Sequence, residues 1–114
     1  MDELYETAFN LILHAGNSKS KSMLAIKAAR KFNFDEVDQL LQDAQDELVE
    51  AHHSQTNLIQ DEARGNTKPV PLIMVHALDH LNDAMIIIEN AREMKNIYSI
   101  LNQLLMKEKE ENNE

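Results

Sequence analysis

Residues 37–58, VDQLLQDAQDELVEAHHSQTNL, carry Val37, Leu41, Ala44, Leu48, Ala51, Gln55 and Leu58 at steps that alternate four and three. That spacing lays one seam along a single side of an α-helix, and it is the spacing of helices packed with a left-handed crossing. A half-buried strand would alternate with a period of two, which this run does not. The stretch predicts a helix from the turn FNFDE (32–36), with Asn33 or Asp35 as its cap, to about Arg64, lying along partners for most of its length.

Working outward, the chain of 114 residues has only two glycines and two prolines, and helix formers dominate between them. An all-α fold follows. Upstream, a helix is expected from about Glu3 to Phe32, with Tyr5, Ala8, Phe9, Ile12 and Ala15 continuing as Met23, Ile26 and Ala29. HAGNSKS (14–20) interrupts that set, because Gly16 and Asn17 are poor interior residues and Asn17 or Ser18 can cap a restart, so a kink or break is expected there. Downstream, RGNTKPVP (64–71) reads as a loop: Gly65 suits a helix C-terminus, and Pro69 and Pro71 cannot continue a helix already running. A third helix is expected from Pro71 or Leu72 to about Lys107, followed by the polar, frayed tail KEKEENNE. Three antiparallel helices joined by short turns make a bundle, and residues 1–114 form one domain's worth of chain.

Composition excludes several classes of function. There are no cysteines, hence no disulfide framework, thiolate metal site or thiol nucleophile, and the cytoplasm is the default compartment. The N-terminus MDELYETAFN has acids where a signal peptide needs positive charge, and no apolar run approaches the roughly 18 to 20 residues that span a bilayer. A formal charge of -9 argues against nucleic acid, whose binding depends on neutralising phosphates with Lys and Arg. From Asp35 to Glu62 the second helix holds nine acids and no Lys or Arg, which fits a solvated outer face first and a docking surface for a basic partner second.

The third helix is apolar on more than one side. Met74, Leu78, Leu81, Met85 and Ile88 form the stripe expected to face the other two helices. Leu72, Val75, Asp79 and Ile86 lie elsewhere on the cylinder, and Ala84, Ile87, Ala91 and Met94 widen the apolar arc. A small monomeric bundle needs a stripe of about 100° on each helix. The surplus suggests burial against other subunits, so that some positions face a symmetry axis and meet their own copies. Asp79, flanked at seven-residue spacing by Leu72 and Ile86, falls on such a row. Like charges clustered there require protonation or a bridging cation, and oxygen ligands alone favour a hard ion such as magnesium. The alternative is a solvated acid, or one bonded within its own helix.

PLIMVHALDH (71–80) places His76, Asp79 and His80 within about one helical turn. Zinc hydrolysis fits poorly, because His76 and His80 supply two ligands and HxxDH lacks the glutamate base of HExxH. A serine triad finds no nucleophile turn or oxyanion hole. A neutral imidazole is itself a nucleophile and can accept a phosphoryl group, provided packing fixes it and a cleft exposes it. The competing reading is a histidine merely packed in a helical interaction or scaffold protein.

Taken together, ILHAGNSKSKSMLAIKAARKFNFDEVDQLL, ELVEAHHSQTNLIQDEARG and PLIMVHALDHLNDAM resemble the IIA component of the lactose/cellobiose/chitobiose class of the bacterial sugar phosphotransferase system. The resemblance covers nearly the whole chain. It implies a homotrimer of nine helices in which His76 takes a phosphoryl group from phospho-HPr and passes it to a cysteine of the IIB component. IIB then phosphorylates a β-disaccharide entering through the membrane component IIC. It also implies one Mg2+ per trimer, held by Asp79 of three chains. The position of His80 beside His76 suits a residue that orients it, and equally one that only packs in the interface. The sequence departs from the family's VHAQDHLM at Leu78 and Asn82, which touches local hydrogen bonding or partner fit and leaves the histidine and aspartate in place.

Overall fold

The computed structural model describes residues 2–113, which form three helices: α1 (Glu3–Arg30), α2 (Phe34–Ala63) and α3 (Leu72–Asn112). They run up, down and up. α1 lies against both other helices, while α2 and α3 touch each other less. The long axis extends 71 Å against 24 and 19 Å across, because α3 outruns its partners.

Each end of a helix has a local cause. Asp2 starts α1 by accepting the Leu4 N–H on its carboxylate at 3.1 Å. At the other end Lys31 caps the helix, and Phe32 adopts φ 60°, in the left-handed region that non-glycine residues seldom enter. Two reverse bonds close that end: Phe32 N–H to Ala29 O at 2.9 Å and Asn33 N–H to Ala28 O at 3.0 Å. The Phe32 ring stacks on Phe34, with centroids 6.3 Å apart. α2 ends in the same motif with the expected residue. Gly65 sits at φ +93°, and Asn66 N–H reaches Asp61 O at 3.1 Å. Asn33 is the N-cap of α2, yet its amide donates to the Glu36 carboxylate at 2.8 Å and its side chain bonds no backbone group of the first turn.

The α2 seam is as the sequence indicates: Val37, Leu41, Ala44, Leu48 and Ala51 are buried, and Leu58 packs beside the core. The other two helices need correction. α1 runs without interruption through HAGNSKS. Its buried row is Ala8, Leu11, Ala15, Ser18, Ser22, Ala25 and Ala29, at strictly alternating steps of three and four. Two serines occupy seam positions where apolar residues were sought, and Ser18 Oγ satisfies itself by donating to Ala44 O across the α1–α2 interface at 2.8 Å. Packing on both sides of Gly16 outweighs its helix cost of about 1 kcal/mol. Tyr5, Phe9 and Met23, expected on the seam, are exposed.

In α3 the buried row is Met74, Ala77, Leu81, Ala84, Ile88 and Ala91. Leu78 is half-buried and Met85 exposed, so the inward face is turned toward the alanines relative to the expected stripe. The helix also runs past Lys107 to Asn112, five residues further than the sequence suggested. Ten of the seventeen buried apolar residues are alanine. Small side chains let the helix axes approach closely, and they leave a thin core for a chain this long.

Candidate functional site

His76 and His80 stand on the second and third turns of α3, one helical turn apart on the same flank. At about 100° per residue, His76 lies on the shoulder between the buried row and the outward row of Leu72, Asp79 and Ile86. His76 is exposed and His80 half-buried. Their rings meet edge to face, centroids 4.5 Å apart and planes at 87°, with Nε2 to Nε2 at 3.1 Å. His76 is therefore held by a neighbouring ring while one side stays open to solvent, the combination a nucleophile needs.

The contact restricts the tautomers. Between two neutral rings, one Nε2 carries the hydrogen and the other offers a lone pair. His80 Nδ1 is shut away from solvent without a partner. An orphaned buried N–H is the rarer and costlier defect, so we assign the His80 hydrogen to Nε2, donating to the lone pair of His76 Nε2. His76 then carries its own hydrogen on Nδ1.

Asp79 is exposed and points away from the bundle core, on the row with Leu72 at 82% and Ile86 at 61% exposure. Of the three residues singled out by sequence, the structure joins His76 to His80 and leaves Asp79 apart from both. Among the described residues of one chain, no group of three or more His, Asp or Glu side chains is arranged to hold a metal ion. A hard divalent ion takes about six or more oxygen ligands, so Asp79 fits a cation only if other copies contribute theirs.

Lys19 Nζ meets Asp83 at 3.7 Å and ties α1 to α3 one turn beyond His80. The remaining histidines are used elsewhere. His14 Nδ1 lies 2.6 Å from Glu47, a half-buried link between α1 and α2. It was not foreseeable, because it depends on the register between two helices. His52 is exposed on α2, as is His53. The acids of α2 are partly engaged: Asp38 pairs with Lys95, and Asp43 and Asp46 accept from Gln39 and Gln42 at 2.9 Å each. Among the described residues, no helix is long and apolar enough to cross a membrane.

Comparison with known proteins places this geometry in context. Residues 6–99 match the family model described as the PTS system, lactose/cellobiose specific IIA subunit. The lichenan-specific phosphotransferase enzyme IIA component of Bacillus subtilis is 45% identical over 97 residues, 85% of this chain and 88% of that protein. Among solved structures, the cellobiose-specific enzyme IIA of Bacillus anthracis superposes with a TM-score of 0.87 at 37% identity, covering 90% of this chain and 94% of the other. The chitobiose IIA of Escherichia coli, solved in complex with HPr, gives 0.76 at 30% identity over 90% and 99%. With three helices in this order and a family match over most of its length, the chain belongs to the lactose/cellobiose-specific IIA subunits of the sugar phosphotransferase system.

Proposed function

We propose that this IIA phosphocarrier works through a phosphohistidine at His76, taking the phosphoryl group from phospho-HPr and giving it to a cysteine of its cognate IIB component. The observation that carries the reading is the His76–His80 pair: an exposed ring held through its Nε2 by a half-buried neighbour at 3.1 Å, a contact that opens when Nε2 attacks. His76 is exposed in the single chain, so it does not serve to pack the three helices of that chain. The chitobiose relative solved with HPr supports the choice of donor.

The transfer needs positioning and charge stabilisation more than covalent machinery. His76 Nε2 attacks phosphorus as the P–N bond of phospho-HPr breaks, and the leaving imidazole of HPr keeps that electron pair. As the P–N bond to His76 forms, the His80 N–H is freed from the lone pair it held and donates to a phosphoryl oxygen. His80 is thus a positioning residue before transfer and a charge-assisted donor after it. In the second step a thiolate of IIB attacks phosphorus, an S–P bond forms, and the electron pair returns to His76. IIB then serves the membrane component IIC, which admits a β-disaccharide of the lactose/cellobiose/chitobiose class. The carrier works in the cytoplasm.

The functional unit is a homotrimer of nine helices. The outward row of α3 and the alanine-rich core support it, since both leave apolar surface that a single chain does not cover. Around a three-fold axis, three Asp79 carboxylates form an oxygen-only donor set, which Mg2+ suits. The ion would neutralise charges that otherwise repel. Asp79→Leu tests this, because three apolar side chains in place of three acids keep or strengthen a trimer that binds no Mg2+. Dissociation of the variant would show instead that the ion bridge is required.

The decisive experiment incubates the protein with phosphoenolpyruvate, enzyme I and HPr and follows its mass. Wild type gains one phosphoryl group, labile in acid and stable in base, and His76→Gln gains none. Equal labelling of His76→Gln, or no labelling of wild type, overturns the assignment.

A further inference from the structure

The flank of α3 that carries His76 continues into a charged pair. At about 100° per residue, His76, His80 and Asp83 fall within about 60° of arc, and Lys19 of α1 meets Asp83 at 3.7 Å from across the groove. α1 and α3 run in the same direction, so this pair sets their register: Gly16 stands level with His80, and Ile12 with His76. Gly16 keeps the groove open between them, since a Cβ built there meets nothing within 4 Å. Helical side chains lean toward the N-terminus, which on both helices is the His76 end. Lys19 therefore carries its ammonium on a flexible four-carbon stem along an open path to the exposed histidine.

The flank has no other source of positive charge. Residues 1–18 contain no Lys or Arg, and neither do residues 72–91. Lys68 lines the groove with Leu78, across the cylinder from His76. Lys21 turns to the α1–α2 face beside His14 and Glu47, and Arg92 donates to Gln45 of α2 at 2.9 Å. A phosphoryl group brings about two negative charges near neutral pH, more than the single carboxylate of Asp83. Lys19 and Asp83 are 41% and 56% exposed, and a pair so open to water is readily exchanged for a more highly charged partner.

We propose that Lys19 is the phosphoryl-binding cation of this site: its ammonium leaves Asp83 and donates to an oxygen of the phosphoryl group on His76. The proposal rests on the phosphohistidine reading above. Lys19 keeps its proton throughout, so the exchange replaces one charge-assisted hydrogen bond by another and leaves the electron pairs of the transfer as they are. Asp83 holds the ammonium near the site while His76 is empty, and the His80 N–H takes a second phosphoryl oxygen.

The test uses the full chain, phosphorylated with phosphoenolpyruvate, enzyme I and HPr, purified at alkaline pH and followed by phosphorus NMR as the pH is varied. A nearby cation favours the doubly charged phosphoryl group, so its removal raises the midpoint of that titration. Lys19→Gln raises the midpoint by about half a pH unit and, at pH 8, lowers the equilibrium transfer from phospho-HPr about threefold. Lys19→Arg restores both. Lys21→Gln removes the same charge from the other face of α1 and leaves the midpoint in place. Asp83→Asn lowers the midpoint in the chain that keeps Lys19 and has less than half that effect in Lys19→Gln. A midpoint unmoved in Lys19→Gln, or moved equally in Lys21→Gln, overturns the assignment of Lys19 and leaves the phosphohistidine standing. Equal effects of Asp83→Asn in the two backgrounds overturn the exchange. A wild type that gains no phosphorus signal, or a signal that persists in His76→Gln, overturns the phosphohistidine reading itself.

Discussion

The two sides of α3 make opposite use of apolar residues. The inward row, Met74, Ala77, Leu81, Ala84, Ile88 and Ala91, alternates large with small and is sealed from solvent. The outward row of Leu72, Ile86, Ile97, Leu101 and Leu104 carries bulkier apolar residues, interrupted by Asp79, Asp83 and Asn90, and stands open in the single chain. Close approach of helix axes chose the first, because alanine at every other seam position lets α1 and α2 come near. The bulkier side is then left open in the single chain, and His76 sits on the shoulder between the two.

This contrast can be broken by experiment. The largest effect is expected from Leu81→Ala, which empties a fully buried site and lowers the unfolding free energy by about 3 kcal/mol in denaturant titration. Ala84→Leu attacks the same row by overfilling it, at a cost of about 2 kcal/mol measured in the same way. A result near zero for either would mean that the inward row is loosely packed. On the outward side, Ile86→Ser should leave the helical circular dichroism spectrum unchanged and weaken self-association about tenfold in sedimentation. Loss of helicity there would show that the face serves the fold of the single chain after all. The smallest change expected is from Ser18→Ala, which removes the Ser18 Oγ bond to Ala44 O and costs about 1 kcal/mol. That value would show the polar part of the α1 seam to be held by its hydrogen bond rather than tolerated.

Helix count, order and ends were largely legible in the sequence. Val37 to Ala51 could be placed because every seam residue is apolar and its neighbours are not, and Gly65 because only glycine readily enters φ > 0 at a helix end. α1 is less legible for a related reason. Ser18 and Ser22 hold seam positions, and a search for apolar residues passes over a buried hydroxyl whose partner lies on another helix. In α3 the difficulty is the reverse, since the sequence offers more apolar residues than one face can hold, and Met85 looks as suited to the core as Ala84. The site divides similarly. The four-residue spacing of His76 and His80 predicts proximity, while the edge-to-face contact of their Nε2 atoms depends on side-chain rotamers.

By itself the sequence determined an all-helical chain, the seam of α2, the grouping of His76, Asp79 and His80 within about one turn of α3 and the resemblance to sugar phosphocarriers. Each of these is a matter of local periodicity or of residue identity. Only the tertiary structure decided that HAGNSKS continues a helix, that alanines rather than leucines and methionines face inward on α3, and that His14 meets Glu47 across α1 and α2. Those outcomes depend on how closely three helices approach and at what register, which is a balance of packing among distant residues that no single stretch of chain contains.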